Sequence, residues 1–234
     1  MEKENLPSIK VVIPAFNEEA SIGKVVDDIP KDWVTEIIVV SNNSSDQTEF
    51  NAKKAGATVL VENRKGYGWA CLKGIAHAVK GKAEIIIFLD GDYSDYPQQL
   101  PEVVSPILND GMDLVIGSRA LGEREPKSMT IPQVFGNWLA TRLMRIFYGI
   151  KFTDLGPFRA IKTSALENLK MQDKTYGWTI EMQIKAAQHK LKCTEVPVNY
   201  KNRIGTSKVS GTVKGTIMAG YKIIFAIFKY KFNK

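Results

Sequence analysis

Cysteine is almost missing from this chain. Cys71 and Cys193 are the only two, too few and too distant for a disulfide framework or a zinc site, so a reducing compartment is expected. Histidine is equally scarce. His77 and His189 fall in helical patterns without partner ligands, and both read as structural. No apolar run is long: stretches such as Ile223 to Phe228 fall far short of the roughly 20 residues a bilayer span takes. The N-terminus MEKENLPSIK is charged and has no apolar core, so no secretion signal is expected. There is no internal repeat and no low-complexity linker.

Acidic residues are outnumbered, 25 against 32 Lys and Arg, for a net charge of +7. That balance favours an anionic partner: nucleic acid, a phosphorylated substrate or an acidic membrane. No nucleic-acid motif supports the first. Hydrophobic content of 44% and charged content of 24% are those of an ordinary globular domain and exclude global disorder.

The first half of the chain alternates strands and helices. Lys10 to Pro14, Glu36 to Val40, Thr58 to Val61, Ala83 to Leu89 and Asp113 to Ile116 are apolar runs of strand length. Between them lie helical patterns at Glu18 to Ile29, Asp46 to Gly56, Gly68 to Val79 and Pro97 to Leu108. Continuous apolar strands separated by helices predict a parallel sheet covered on both faces. Beyond Arg119 the pattern changes. Leu121 to Ser128 reads as a loop, Pro132 to Tyr148 as a helix with Phe135, Leu139, Leu143 and Phe147 on one face, and Thr153 to Ile161 as a loop entering a strand. Thr179 to His189 reads as a helix, Cys193 to Tyr200 as a strand and Val213 to Phe232 as a last helix.

Sites in such sheets collect at the C-terminal strand ends. Polar residues gather there: Asn17 and Glu18, Ser41 to Ser44, Asp90 and Asp92, Ser118 and Arg119. Asp90-Gly91-Asp92 follows the buried run IIIFL. Two carboxylates at a strand end make a dense negative field of hard oxygen ligands, suited to a divalent cation that bridges a diphosphate. The bland alternative is an acidic turn.

Together with VVIPAFNEE at Val11 to Glu19, EIIVVSNNSSDQT at Glu36 to Thr48, FLDGDYSDYP, VIGSR and TDLGPFRAI, the motif makes the chain resemble the family 2 glycosyltransferases of the GT-A type. Within them it is most similar to the branch of polyprenyl-phosphate (dolichyl-phosphate) sugar transferases, over nearly the whole chain. The resemblance implies an α/β, GT-A-like (Rossmann-like) fold: a mostly parallel central sheet with helices on both faces, over residues 1–212, followed by a C-terminal amphipathic helix, 213–234. It implies Mg2+ or Mn2+ at Asp90 and Asp92, with Asp92 the surer ligand. Pro14, Ala15, Asn17 and Glu18 would line the nucleotide pocket. Arg119 would face phosphate near the acceptor, Asp154 and Arg159 would lie by the acceptor site, and Arg203, Ser207 and Lys208 would close over the diphosphate.

Some positions depart from the family pattern. Ser41 and Asn42 stand where two acids are usual. An asparagine amide both accepts and donates, which suits uracil with its one N–H between carbonyls, so a UDP-sugar is expected over a GDP-sugar. Ser94 stands where glutamine is frequent, leaving a third metal contact open. No QxxRW signature is present, against a processive polysaccharide synthase. Asn63 to Ile75, with Gly66 and Gly68, reads either as a tight turn opening a helix or as a contact of Arg64 or Lys65 with the nucleotide. Trp33, Trp69, Trp138 and Trp178 read as packing residues, with Trp178 also an acceptor-pocket candidate.

In the last helix Ile217, Met218, Tyr221, Ile224, Phe225 and Phe228 fall near one face, and Lys214, Lys222 and Lys229 towards another. That is the pattern of a helix lying in a membrane interface; a terminal helix packed on the domain is the alternative. The expected function is inverting transfer of a sugar from a nucleotide-sugar donor to a polyprenyl-phosphate acceptor, by a protein peripheral at the cytoplasmic face of the membrane. Homo-oligomer formation stays open. Two rivals remain: transfer to a hydroxyl of a glycan or lipid, with Asp154 or Glu181 as base, and a catalytically silent nucleotide-sugar binder.

Overall fold

The computed structural model describes residues 6–206 and 213–232. Among them, seven strands form one sheet in the order β3-β2-β1-β4-β6-β5-β7. These are β1 (Ile9–Ala15), β2 (Glu36–Ser41), β3 (Thr58–Val61), β4 (Ile85–Phe88), β5 (Leu114–Ser118), β6 (Arg159–Lys162) and β7 (Cys193–Pro197). All neighbours are parallel except β6, which runs antiparallel to both β4 and β5. The helices are α1 (Ile22–Asp28), α2 (Thr48–Lys54), α3 (Tyr67–Lys80), α4 (Leu100–Asn109), α5 (Ile131–Tyr148), α6 (Thr163–Leu169), α7 (Trp178–Gln188) and α8 (Val213–Phe232).

The strands are apolar throughout because both faces are covered. Val12, Ile38, Val40, Ile86 and Phe88 point into one core layer with α3, α5, α6, α7 and α8. Their sequence neighbours Val11, Ile13, Ile37, Val39 and Ile87 point into the other, with α1, α2 and α4. This is the period-2 alternation of a pleated strand, hidden in the sequence because neither face is wet. Packing of α3 on the sheet is close enough that a Cβ at Gly74 would lie 2.3 Å from Val12 Cγ1.

Every expected strand is present. The antiparallel direction of β6 was not expected, nor was α6, a seven-residue helix too short to show periodicity. Helix starts shift by local hydrogen bonding. Glu18 lies outside α1, in a turn after Asn17 (φ 52°), where its carbonyl accepts from Ser21 and Ile22 N–H. Asp46 precedes α2 and accepts from the Thr48 N–H. Helix α5 begins at a Thr130/Gln133 capping box and ends at Gly149 in the left-handed region.

Strand order reverses between β1 and β4. In an open α/β sheet, the crevice beyond the carboxyl ends at such a reversal is where ligands bind. Among the described residues no helix is long and apolar enough to cross a membrane.

Candidate functional site

The crevice at the β1/β4 reversal holds a compact charged cluster. Burial, reinforced by the charge of Asp92, raises the Asp90 carboxyl to about 7, against the Tyr67 hydrogen bond and the positive charges of Arg203 and Arg119. The Tyr67 hydroxyl donates to Asp90 Oδ1 at 3.0 Å. Asp92 is oriented by its own turn: the Ser94 N–H and hydroxyl both donate to Oδ1. Its other oxygen faces Arg203 Nη1 at 3.1 Å, and Arg203 Nη2 donates to Glu18 Oε1, also at 3.1 Å. Asp95 is a third carboxylate, buried, and among the described residues neither of its oxygens has a hydrogen-bond partner. Burial and the charges of Asp90 and Asp92 hold its pKa well above the ordinary carboxylate value.

Three acids crowded in one crevice, two pushed toward neutrality, form a site whose charge a hard cation would relieve. Their oxygens do not converge as a closed cage, since among the described residues no group of three His, Cys, Asp or Glu is arranged to hold a metal. The donor set therefore fits a divalent cation that takes its remaining ligands from a bound diphosphate and water. Ser94 is engaged with Asp92 and is not a spare metal contact.

On the β1–β2 side the crevice continues into a cavity of about 350 Å3 lined by Pro14, Ala15, Phe16, Asn42, Lys65, Gly66 and Tyr67, with Thr175 and Tyr176 opposite. Asn17 and Glu18, expected in this pocket, do not line it; Asn17 instead ties the loop after β2, its N–H donating to Ser44 Oγ and its Oδ1 accepting from the Ser45 N–H. The expected role of Asn42 as a two-way reader of a base needs correction. Its amide N–H groups donate to the Glu62 and Arg64 carbonyls, and its Oδ1 accepts from the Gly66 N–H. Only one acceptor lone pair remains. Gly66, at φ 146°, and Gly68 serve close packing: added Cβ atoms would lie 2.2 Å from Lys174 O and 2.1 Å from Asp173 O. The turn reading of that glycine pair fits, and of its two cations Lys65 lines the cavity while Arg64 lies over Trp69 at 3.6 Å.

The other side of the crevice is a cavity of about 320 Å3 that runs from Asp90, Asp92 and Arg119 outward between α5 and α8, past Gln133 and Gly136 on one helix and Gly220 and Ile223 on the other. Arg119 is held by Asp154, whose two oxygens accept from Nε and Nη2 at 2.8 Å, and among the described residues Nη1 makes no hydrogen bond. Burial would raise the Asp154 pKa, but Arg119 holds it below the ordinary value. The Arg119 guanidinium also lies 4.9 Å over the Tyr200 ring. Asp154 therefore positions Arg119 instead of meeting an acceptor itself. Arg159 is corrected too: it is fully buried, and its guanidinium donates to the Leu155, Gly156 and Thr179 carbonyls. It pins the 155–159 loop. Trp178 is core, edge-on to Phe88 at 5.8 Å, whereas Trp138 is 52% exposed and not a packing residue. Ser207 and Lys208 lie outside the described residues.

Tyr67, Asp95, Tyr176 and Tyr200 were not singled out from the sequence. Asp95 carried a signal, as the third acid in DGDYSD. Tyr67 sits between Gly66 and Gly68 and lines both halves of the crevice.

The outer faces of α5 and α8 are apolar and open. Ile131, Val134, Phe135, Trp138 and Ile146 are exposed on α5, and Met218, Tyr221, Phe225, Phe228 and Phe232 on α8. The inner face of α8 packs on the domain through Ala226 and Ile227, and Tyr230 donates to Glu181 at 2.7 Å.

Comparison with known proteins agrees with this geometry. The sequence model of glycosyl transferase family 2 matches residues 10–170. An uncharacterized glycosyltransferase of Mycobacterium tuberculosis is 34% identical over 215 residues, 91% of this chain and 94% of its own. A UDP-N-acetylglucosamine–dolichyl-phosphate N-acetylglucosaminyltransferase of Methanococcus voltae is 28% identical, covering 97% of each chain. Among solved structures, a glucosyl-3-phosphoglycerate synthase from Mycobacterium tuberculosis, in complex with Mn2+, UDP and glucosyl-3-phosphoglycerate, superposes with a TM-score of 0.76 at 23% identity, over 96% of this chain and 80% of that one. At that identity the likeness is one of fold.

Proposed function

The chain belongs to glycosyl transferase family 2, and on that premise we propose that it transfers a sugar, with inversion, from a UDP-sugar to a polyprenyl phosphate at a membrane surface. The observation that carries the acceptor class is the crevice's exit between α5 and α8, two helices whose outer faces expose aromatic and aliphatic side chains. A lipid phosphate lying between them brings its head to Arg119 while its tail stays with the apolar faces. The name of the Methanococcus voltae relative, a transferase to dolichyl phosphate, supports the same class.

Asp90 and Asp92 would hold Mg2+ or Mn2+, the latter present in the related synthase structure; such a cation neutralises the leaving diphosphate. Arg203, now paired with Asp92 and Glu18, exchanges those carboxylates for the diphosphate and adds a second positive charge there. A phosphate monoester with a second pKa near ~6 is largely dianionic at pH 7 and needs no base to attack. Arg119 has only to orient it. A hydroxyl acceptor would need a carboxylate base, and the two candidates are engaged. Asp154 is closed by Arg119. Glu181 is fully buried and binds the Gln172 and Asp173 N–H groups, Lys185 and Tyr230. The remaining lone pair of Asn42 can accept one N–H, which uracil offers; both relatives' donors or ligands carry UDP.

The test is a release assay with purified protein, Mn2+, short polyprenyl phosphate in detergent, and UDP- or GDP-sugars in parallel. UDP release that requires the lipid phosphate is the expected result. GDP release would overturn the base assignment. Tight UDP binding without release would overturn the acceptor and favour a hydroxyl acceptor or a silent binder.

A further inference from the structure

On the flank of α5 turned away from the crevice lies a third cavity, of about 340 Å3. Arg142 and Arg145 on α5, Arg124 on the loop before it and Lys151 just after it all line this cavity, with Trp138 and Val134 at its edge. Among the described residues none of the four cations makes an ion pair; Arg124 donates weakly to Met129 Sδ and Arg142 lies 5.9 Å from the Trp138 ring. Asp154 is the lone lining carboxylate, and Arg119 already closes it. Four like charges around one hollow repel one another unless something anionic enters. Arg145 gains from the α5 C-terminal dipole, but that does not account for Arg142, or for Arg124 and Lys151, which reach the hollow from outside the helix.

The wall between this cavity and the crevice is α5 itself, tied to the 153–155 loop by Asn137, whose amide donates to Thr153 O and accepts from the Leu155 N–H. The cavity adjoins the Asp90–Arg119 site, sharing Met129 and Asn137 with it, but its four cations lie on the other flank of α5 and do not line the crevice. Its lip is continuous with the exposed α5 stripe, since Val134 and Trp138 belong to both.

We propose that this cavity is a binding site for the phosphate headgroup of an anionic phospholipid that is not a substrate, and that it sets the protein's docking on anionic membranes. The proposal rests on the membrane part of the reading above. A soluble phosphate would be served by the cations alone. The apolar lip, beside a row of open aromatic side chains, selects a phosphate that carries acyl chains.

The test is co-sedimentation with phosphatidylcholine vesicles, with and without phosphatidylglycerol, in the absence of donor and of polyprenyl phosphate, so that it cannot fail through the acceptor assignment. Arg142→Gln/Arg145→Gln should lower partitioning onto the anionic vesicles about 30-fold, from about one basic-residue contribution each, and leave partitioning onto pure phosphatidylcholine, the thermal midpoint and UDP binding unchanged. Lys53→Gln/Lys54→Gln removes the same charge from α2, across the sheet, and should cost a few-fold at most. Equal losses from both pairs, or none from the α5 pair, would overturn the site. So would glycerol phosphate binding in solution by a wild-type protein that shows no preference for anionic vesicles.

Discussion

At the residue scale, chemistry and support are assigned by what each side chain already holds. Asp92 offers one oxygen to its own turn and one to Arg203, and that second contact can be exchanged. Arg159 has no such freedom, because its guanidinium is engaged with backbone carbonyls, and Asn42 keeps a single acceptor lone pair beyond its backbone contacts. Position at a strand end was readable from the sequence for Asp92 and Asn42, and position in the DLGPFRA loop for Arg159. Engagement with a distant backbone carbonyl was not, since the partners lie on loops that only the fold brings near. Asp92→Ala removes the oxygen most open to a cation while leaving the core untouched. It should lower metal-dependent turnover by about 10²–10³-fold, with an unchanged thermal midpoint and loss of the Mn2+-induced rise in that midpoint. Turnover within a few-fold of the parent would remove the metal role from this residue.

At the element scale, α8 shows what periodicity can and cannot deliver. An apolar face with lysines beside it was legible, but the helix has two apolar faces. Met218, Tyr221, Phe225, Phe228 and Phe232 recur at steps of three and four on the open side, while Ile223, Ala226, Ile227 and Tyr230 pack inward. Nothing in a period of 3.6 says which stripe meets the domain. The packed-helix reading therefore holds for one side of it, and the other side is an open apolar stripe. Deleting it is accordingly a poor test of membrane docking, because Ile227 is fully buried and its carbonyl accepts from the Tyr148 hydroxyl. Substituting the open stripe is cleaner. Tyr221→Ser/Phe225→Ser/Phe232→Ser should reduce partitioning onto phosphatidylcholine vesicles about 100-fold, at roughly 1 kcal/mol for each partly inserted aromatic ring, with no change in thermal midpoint. Unchanged partitioning would sink the interfacial face.

At the scale of the whole molecule, the sheet separates chemistry from support. The carboxyl ends of β1 and β4 carry the charged crevice, and the opposite ends carry a bolt. There Glu36 of β2 receives hydrogen bonds from Lys10 of β1 at 2.7 Å and Thr58 of β3 at 2.8 Å, and His77 of α3 lies 2.9 Å away. The alternation of strands and helices made the parallel half of this sheet legible, and β6 escaped because direction leaves no trace in a four-residue strand. The bolt escaped because it joins four elements through a register that sequence does not state. Burial alone would raise the Glu36 pKa, but the contacts from Lys10, His77 and Thr58 overcome it and lower the value from 4.5 to about 2. A depressed carboxylate pKa contributes stability that is fully present above about 4.5 and is lost as pH falls toward 2. Thermal midpoints measured from pH 7 to pH 3 should therefore drop below about 4.5. Glu36→Gln should cost about 1–2 kcal/mol at pH 7, towards the low end for hydrogen bonds to a charged group because the cluster is partly solvated, and should flatten the acid drop. Because the bolt lies at the end of the sheet away from Asp92 and Arg119, turnover of the folded variant should stay near that of the parent. A variant that lost activity at unchanged stability would show that the two ends of the sheet are coupled, and the separation of support from chemistry would be wrong.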